Sequence, residues 1–354
     1  MTSTSDTVAA PAYEYDRVEL RAKLAGLAEI PGVGKPDPIL TVDNISRNFG
    51  GIQAVNVEHL EVQRGAITAL IGPNGAGKTT FFNLITGFDR PTSARGRFTP
   101  KSADGYADWS FNGRSLETTG AAKVAQSGMV RTFQLTKALS KMTVLDNMLL
   151  GAKDQTGERF FTAFVKPLWA AREKEIRAKA EDLLARFKLI EKIDDYAGSL
   201  SGGQRKLLEM ARALMSDPAM IMLDEPMAGV NPALTQSLLG HIQSLRDDGT
   251  TVLFVEHDMH VVSFISDWVV VMAEGSIVAE GTPKNVMKNT AVIDAYLGAH
   301  HDVDLGDDSL LAEESVDDDE KKLEQLDAKA ARKPAAAKAV KSTAAKSTPG
   351  KKGS

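Results

Sequence analysis

The sequence predicts an α/β fold with a helical subdomain set into it. Three observations predict this. Short β-branched or apolar runs recur at 66–71, 219–223, 251–255 and 268–272, the size of buried parallel strands. A glycine-rich segment follows the first of them and leads into an apolar pattern at Phe82, Leu84 and Ile85, as in a strand–loop–helix unit. The interval from Met142 to Ala213 reads mostly as helix, and residues 173–187 are rich in the helix formers Ala, Leu, Lys, Arg and Glu.

Residues 1–38 read as an N-terminal extension. Its first dozen residues are small and polar. Val18, Leu20, Leu24 and Leu27 then make a weak helical stripe, which Pro31, Gly32, Gly34, Pro36 and Pro38 end. On composition this predicts a loosely docked arm. The domain expected next spans 39–298, with its helical subdomain at about 135–213. It opens on alternating, half-buried strands at 39–46 and 55–62.

From 299 onward the chain changes character. Residues 302–327 carry twelve acidic and two basic side chains, whereas 328–354 carry eight basic and no acidic ones. Neither half can bury enough apolar surface to offset chain entropy, so a disordered acidic-then-basic tail is expected over 299–354. The basic half has the charge to meet nucleic acid or anionic lipid, but composition favours a solvated tail.

The bulk composition narrows the class. A chain of 354 residues with 43% hydrophobic and 25% charged residues can bury a sizeable core. The absence of cysteine excludes disulfide frameworks and thiolate metal sites. A net charge of −5 gives no reason to expect nucleic-acid binding by the whole body. No apolar run approaches the roughly 20 residues of a spanning helix. The N-terminus lacks a basic start followed by an apolar run. The chain is therefore expected to stay in the cytosol and to meet a membrane only peripherally.

The chemistry concentrates in three segments. Gly72, Pro73, Asn74, Gly75, Ala76, Gly77, Lys78 and Thr79, with Thr80 behind them, form a complete G-x-x-x-x-G-K-T loop. Glycines let backbone N–H groups turn inward around phosphate oxygens, and the helix start adds partial positive charge. Lys78 would reach the β- and γ-phosphates, and Thr79 would hold Mg²⁺. At 221–225 an apolar strand ends in Asp224 and Glu225, where α/β folds place ligands. Asp224 would hold Mg²⁺, and Glu225 would act as general base on water. At 200–204, Leu-Ser-Gly-Gly-Gln places Ser201, Gly202, Gly203 and Gln204 at a helix start, a second anion-binding end.

The ordered combination of phosphate loop, Leu-Ser-Gly-Gly-Gln, Leu-Asp-Glu-Pro and a His after a following strand resembles the ABC ATPase family over 39–298. That resemblance implies an ABC core with an antiparallel β subdomain and an inserted helical subdomain. It implies ATP and Mg²⁺ as ligands and hydrolysis coupled to transport. Gln134 becomes a Mg²⁺ contact and γ-phosphate sensor, and His257 a γ-phosphate contact. Phe49 stands where the family stacks an aromatic on adenine; a core or surface Phe is the alternative reading there. Each ATP would lie between Lys78 of one subunit and Ser201–Gln204 of a second, itself or a paralogue. Transmembrane permease subunits would be direct partners and an extracytoplasmic binding protein an indirect one.

The segments 82–88, 130–134, 142–147, 226–232, 256–259, 279–283 and 292–298 narrow the resemblance to the LivG type of branched-chain amino-acid importers. Urea or amide importer ATPases and a lipid-exporter ATPase are close in kind. Residues 98–110 look like an insertion, and Asn231 stands where many members have Asp. A soluble ABC ATPase acting on DNA or ribosomes is the alternative of a different class. It would carry a long coiled coil or a second cassette, and the sequence has neither. A purely regulatory subunit would not need Glu225, Gln134 and His257 together.

Overall fold

The computed structural model describes residues 17–93, 105–117, 119–132, 140–153 and 166–298. The chain enters through α1 (Arg17–Ala25), which buries Leu20 and Leu24. β1 (Pro38–Phe49) and β2 (Ile52–Gln63) follow as an antiparallel hairpin. Gly50, at φ 59, supplies the left-handed backbone its tight turn needs. All five residues of β3 (Ile67–Ile71) are buried, as expected of a central strand covered on both faces. α2 (Lys78–Ile85) leaves from its end. β4 (Asp108–Phe111) and β5 (Arg114–Ser115) return to the first hairpin, completing an antiparallel sheet of order β2-β1-β4-β5.

Of the expected insertion at 98–110, residues 105–110 are described. Residues 108–110 belong to β4 and pair with 41–43 of β1. Trp109 is buried there, so the segment is part of the sheet.

After α3 (Ala121–Gln126) and β6 (Met129–Arg131) the chain becomes helical: α4 (Val144–Leu149), α5 (Lys166–Arg186) and α6 (Gly202–Leu214). It then alternates through β7 (Met220–Asp224), α7 (Pro232–Asp247), β8 (Thr251–Val255), α8 (Met259–Ile265), β9 (Trp268–Ala273) and β10 (Ser276–Gly281). α9 (Pro283–Val286) and α10 (Thr290–Gly298) close the described chain. The second sheet has the order β10-β9-β3-β8-β7-β6. Its pairs are parallel except the terminal β9–β10 hairpin. The architecture is α/β, with an antiparallel β subdomain and an inserted helical subdomain, as the resemblance stated above implies.

Two apolar clusters hold it together. One packs Phe81, Phe82 and Leu84 of α2 with Val42, Ile45 and Trp268. The other packs Leu207, Leu208 and Met210 of α6 with Ile221, Leu223, Leu238 and Ile242. Each such fully buried side chain contributes about 1.5–3 kcal/mol relative to exposure.

The loosely docked arm is corrected, over residues 17–38. Beyond the burial of Leu20 and Leu24, Arg21 pairs with Asp267 at 2.7 Å and Lys35 pairs with Glu280 at 2.9 Å. Composition understated the segment because its partners lie some 245 residues away in sequence. The expected tail over 299–354, the first sixteen residues, Gln134 and the insertion before 105 lie outside the described residues. Among those described, no helix is long and apolar enough to cross a membrane.

Candidate active site

The loop between β3 and α2 is built by close backbone approach. A Cβ on Gly72 would fall 2.0 Å from the Met272 carbonyl oxygen, and one on Gly77 2.3 Å from that of Ala54. Both glycines also adopt positive φ, 149° and 94°. Only glycine satisfies both demands. At Gly75, also at positive φ, a Cβ would meet nothing within 4 Å, so this part of the loop faces open space. The backbone thus leaves room for a phosphate group on one side and is locked to β2 and β9 on the other. Lys78 folds over the loop, donating to the carbonyls of Gly72 at 2.7 Å and Pro73 at 2.8 Å. Burial pushes its pKa below the ordinary 10.5, and the negative charges of Glu225 and Asp224 oppose that shift. The two carboxylates therefore sit within electrostatic reach of the Lys78 ammonium. Ala76 is buried, Thr80 half-buried, and Pro73 partly covered, whereas Asn74 and Thr79 are exposed.

Asp224 ends β7, and Glu225 follows in a left-handed conformation, φ 47. A non-glycine residue there costs roughly 1–3 kcal/mol and persists only where its surroundings hold it. The Glu225 N–H donates to Val255 O at 3.0 Å, which ties the bend to β8. Asp224 has a partner that sequence reasoning missed. Arg131, at the end of β6, donates from Nη2 to Asp224 Oδ2 at 2.6 Å and from Nη1 to Asn83 Oδ1 at 2.6 Å. Both side chains of the ion pair are only 7% exposed. The hint in the sequence was Arg131 itself, two residues from an apolar strand start and inside the 130–134 segment, but its partner could not be read locally.

Ser201 caps α6. Its hydroxyl accepts from Gln204 N at 3.2 Å, and Gln204 Oε1 accepts from Ser201 N at 3.0 Å. The Ser-x-x-Gln spacing is thus a capping box, which satisfies two helix-end donors. Ser201 and Gly202 are exposed, whereas Gly203 is buried: a Cβ there would meet the Leu234 side chain at 1.7 Å. Gly203 is therefore required by the packing of α6 on α7. A cleft of about 480 Å³ runs between this helix and the end of β7, lined by Gly202, Lys206, Asp224, Glu225 and Gly229.

His257 follows β8 with its side chain 64% exposed, 3.8 Å from the Glu256 carboxylate. Glu256 is itself buried and accepts from the N–H groups of Met227 at 2.8 Å and His257 at 3.3 Å. Burial pushes its pKa up against those two hydrogen bonds. Phe49 is 50% exposed at the end of β1, with the Arg47 guanidinium 4.6 Å from its ring centre. It is a surface aromatic, available to stack, and the core alternative does not apply. Gln134 lies outside the described residues.

Comparison with known proteins decides the family. The ABC transporter family model matches residues 55–228. A model described as branched-chain amino acid ATP-binding cassette transporter matches 276–302. A probable branched-chain amino acid transport ATP-binding protein LivG of Archaeoglobus fulgidus is 41% identical over 261 residues, covering 74% of this chain and 96% of its own length. The high-affinity branched-chain amino acid transport ATP-binding protein BraF of Pseudomonas aeruginosa is 39% identical, covering 74% and 98%. This chain belongs to the ABC transporter ATP-binding family. A solved ADP conformation of an ATP-binding cassette of an ABC transporter is 37% identical with a TM-score of 0.62, covering 74% of this chain and 99% of its own. A nucleotide-free cassette aligns at 36% identity and a TM-score of 0.61, covering 73% and 98%.

As an ABC ATPase subunit, the chain binds nucleotide and hydrolyses ATP for a transporter. Membership also gives Asn231 a physical reading. Its side chain caps α7 by accepting from Leu234 N at 2.9 Å, with Pro232 at the first helical position. Asp and Asn cap equally well, so Asn231 in place of Asp keeps the helix start of this ABC ATPase intact.

Proposed function

We propose that this subunit powers import of branched-chain amino acids, docked peripherally on its permease at the cytoplasmic face of the membrane. The observation that carries the cargo is the match at 276–302 to the branched-chain amino acid cassette model, beyond the shared ATPase core. The names of the relatives from Archaeoglobus fulgidus and Pseudomonas aeruginosa support it.

The residues divide the chemistry as follows. The Gly72–Thr80 loop and Lys78 hold the ATP phosphates, and Phe49 stacks on adenine. Thr79, Asp224 and Gln134 would hold Mg²⁺, which offsets charge on the β- and γ-phosphates when bound. Glu225 accepts a proton from water as the water oxygen attacks the γ-phosphorus. The bond to the bridging oxygen then breaks, giving ADP and phosphate. His257 contacts the γ-phosphate. Ser201–Gln204 of a second ATPase subunit cover it from the opposite side. Loss of the γ-phosphate removes a ligand shared by both subunits, the pair opens, and the permease is reset. The extracytoplasmic binding protein meets the permease and never this chain. No nucleic acid takes part.

Deleting the chain should lower cellular uptake of labelled leucine, isoleucine and valine. Wild-type chain should restore uptake, and Glu225→Gln should not, although it retains ATP binding. Normal uptake of all three in the deletion, with no parallel importer present, would overturn the cargo assignment. Loss of urea or short-amide uptake instead would reassign it.

A further inference from the structure

Lys206 lies one turn into α6, behind the Ser201 cap. Its ammonium donates to the carbonyl oxygens of Glu225 at 3.2 Å, Pro226 at 3.0 Å and Ala228 at 2.5 Å. An ammonium has three N–H donors, so all three are committed to one backbone turn. That turn begins at Glu225, whose left-handed φ of 47 needs support from its surroundings. It is held from a second side as well, because Met227 N–H donates to the buried Glu256 carboxylate at 2.8 Å. Glu256 in turn accepts from His257 N. The start of α6, the Glu225 bend and the His257 strand end are thus linked through Lys206 and Glu256.

We propose that Lys206 is a positioning residue for hydrolysis, fixing the Glu225 turn to α6 so that the carboxylate and the Ser201–Gln204 segment keep one relative placement. The proposal rests on the reading of Glu225 as general base. The carbonyls of residues 225, 226 and 228 converge on one point, and a cation there offsets their shared negative ends. Lys206 is half-buried, and Glu256, Glu209 and Glu225 favour its charged form against the effect of burial. Without it, the turn can relax from its left-handed start and carry the Glu225 carboxylate with it. A displacement of about 1 Å at a catalytic group costs on the order of 100-fold in rate.

The test compares full-length Lys206→Met, Lys206→Arg and Glu225→Gln chains for kcat, KM, equilibrium ATP binding and thermal midpoint. Lys206→Met should lower kcat by about 10- to 100-fold while ATP binding stays within about two-fold. Lys206→Arg, which keeps charge and donors, should recover at least a third of the loss on a logarithmic scale. If Lys206→Met fails to fold, Lys206→Gln, with two amide donors, takes its place in the same comparison. A kcat within two-fold of wild type in the folded variant overturns the proposal. So does a parallel fall in kcat and ATP binding that Lys206→Arg does not relieve. The base assignment fails separately. A normally active Glu225→Gln removes the base and this proposal with it; an inactive Glu225→Gln beside a normally active Lys206→Met removes only the positioning role and leaves the base.

Discussion

Lys78 and Lys206 both place an ammonium on backbone carbonyls, but they spend their donors differently. Lys78 makes two such bonds, leaving one of its three N–H groups for a phosphate, whereas Lys206 makes three. The Lys78 pKa is pushed below 10.5 by burial. Phosphate oxygens would favour its charged form and raise that pKa again. Binding therefore takes up a proton in the window between the two values, and ATP affinity should fall as pH rises through it. Lys78→Arg keeps its charge throughout and should bind more weakly but with a flatter alkaline profile. Dissociation constants measured at stepped alkaline pH check this; equal slopes for both chains would remove Lys78 as the source. Lys78, Asp224 and Glu225 were legible in the sequence because each belongs to a contiguous motif. Arg131 and Lys206 stood beside such motifs, but their partners are 93 and 19 residues away. Only the parallel pairing of β6 with β7, and the packing of α6 over β7, brings them into contact.

The same limit applies to whole elements. β3, β7, β8 and β9 were readable because their apolar runs are buried on both faces. β4, β6 and β10 are shorter or partly exposed, and a strand of three or four residues shows no period to count. The N-terminal segment is the largest misreading. The side chains of Lys35 and Glu280 are 1% and 0% exposed, and the Glu280 carboxylate also accepts from Gly32 N at 2.8 Å and Trp268 Nε1 at 3.1 Å. The Lys35 ammonium lies 4.7 Å from the Trp268 ring centre. Three groups thus converge on one buried carboxylate and fasten residues 32–35 to the β9–β10 hairpin. Removing the cation alone leaves that carboxylate buried without its counter-charge, which costs about 3–5 kcal/mol. Lys35→Met should lower the thermal midpoint by about 10 °C, and adding Glu280→Gln should recover part of the loss, because the uncompensated charge is gone. Calorimetric scans of the three chains decide it. A single variant within about 2 °C of wild type would mean that the segment docks without contributing to the core.

At the scale of the whole molecule, the proposed mechanism divides each nucleotide site between two chains. The cleft lined by Gly202, Lys206 and Glu225 includes none of residues 72–79. Ser201 and Gly202 are exposed at the start of α6, while its buried face packs against α7 through Gly203 and Leu234. A helix start left facing outward, with partial positive charge and an exposed hydroxyl, suits a phosphate bound on another subunit. Two chains facing head to tail would complete two sites, each from the Lys78 loop of one and the Ser201 end of the other. This makes a prediction that depends on arrangement and not on the severity of any one substitution. Ser201→Arg should block closure over the partner's nucleotide, and Lys78→Ala should weaken binding at the chain's own loop. In a pair of differently tagged copies with the two substitutions on opposite chains, both lesions fall in one composite site and the other stays intact. With both substitutions on one chain, each composite site carries one lesion. Occluded nucleotide should therefore be about one per pair in the first arrangement and near zero in the second. If each chain instead formed a site by itself, the order would reverse: the first arrangement would damage both chains and the second would spare the unsubstituted one. Stoichiometry of trapped nucleotide after rapid desalting separates the two outcomes, and the reversed order would remove the head-to-tail pair from the mechanism.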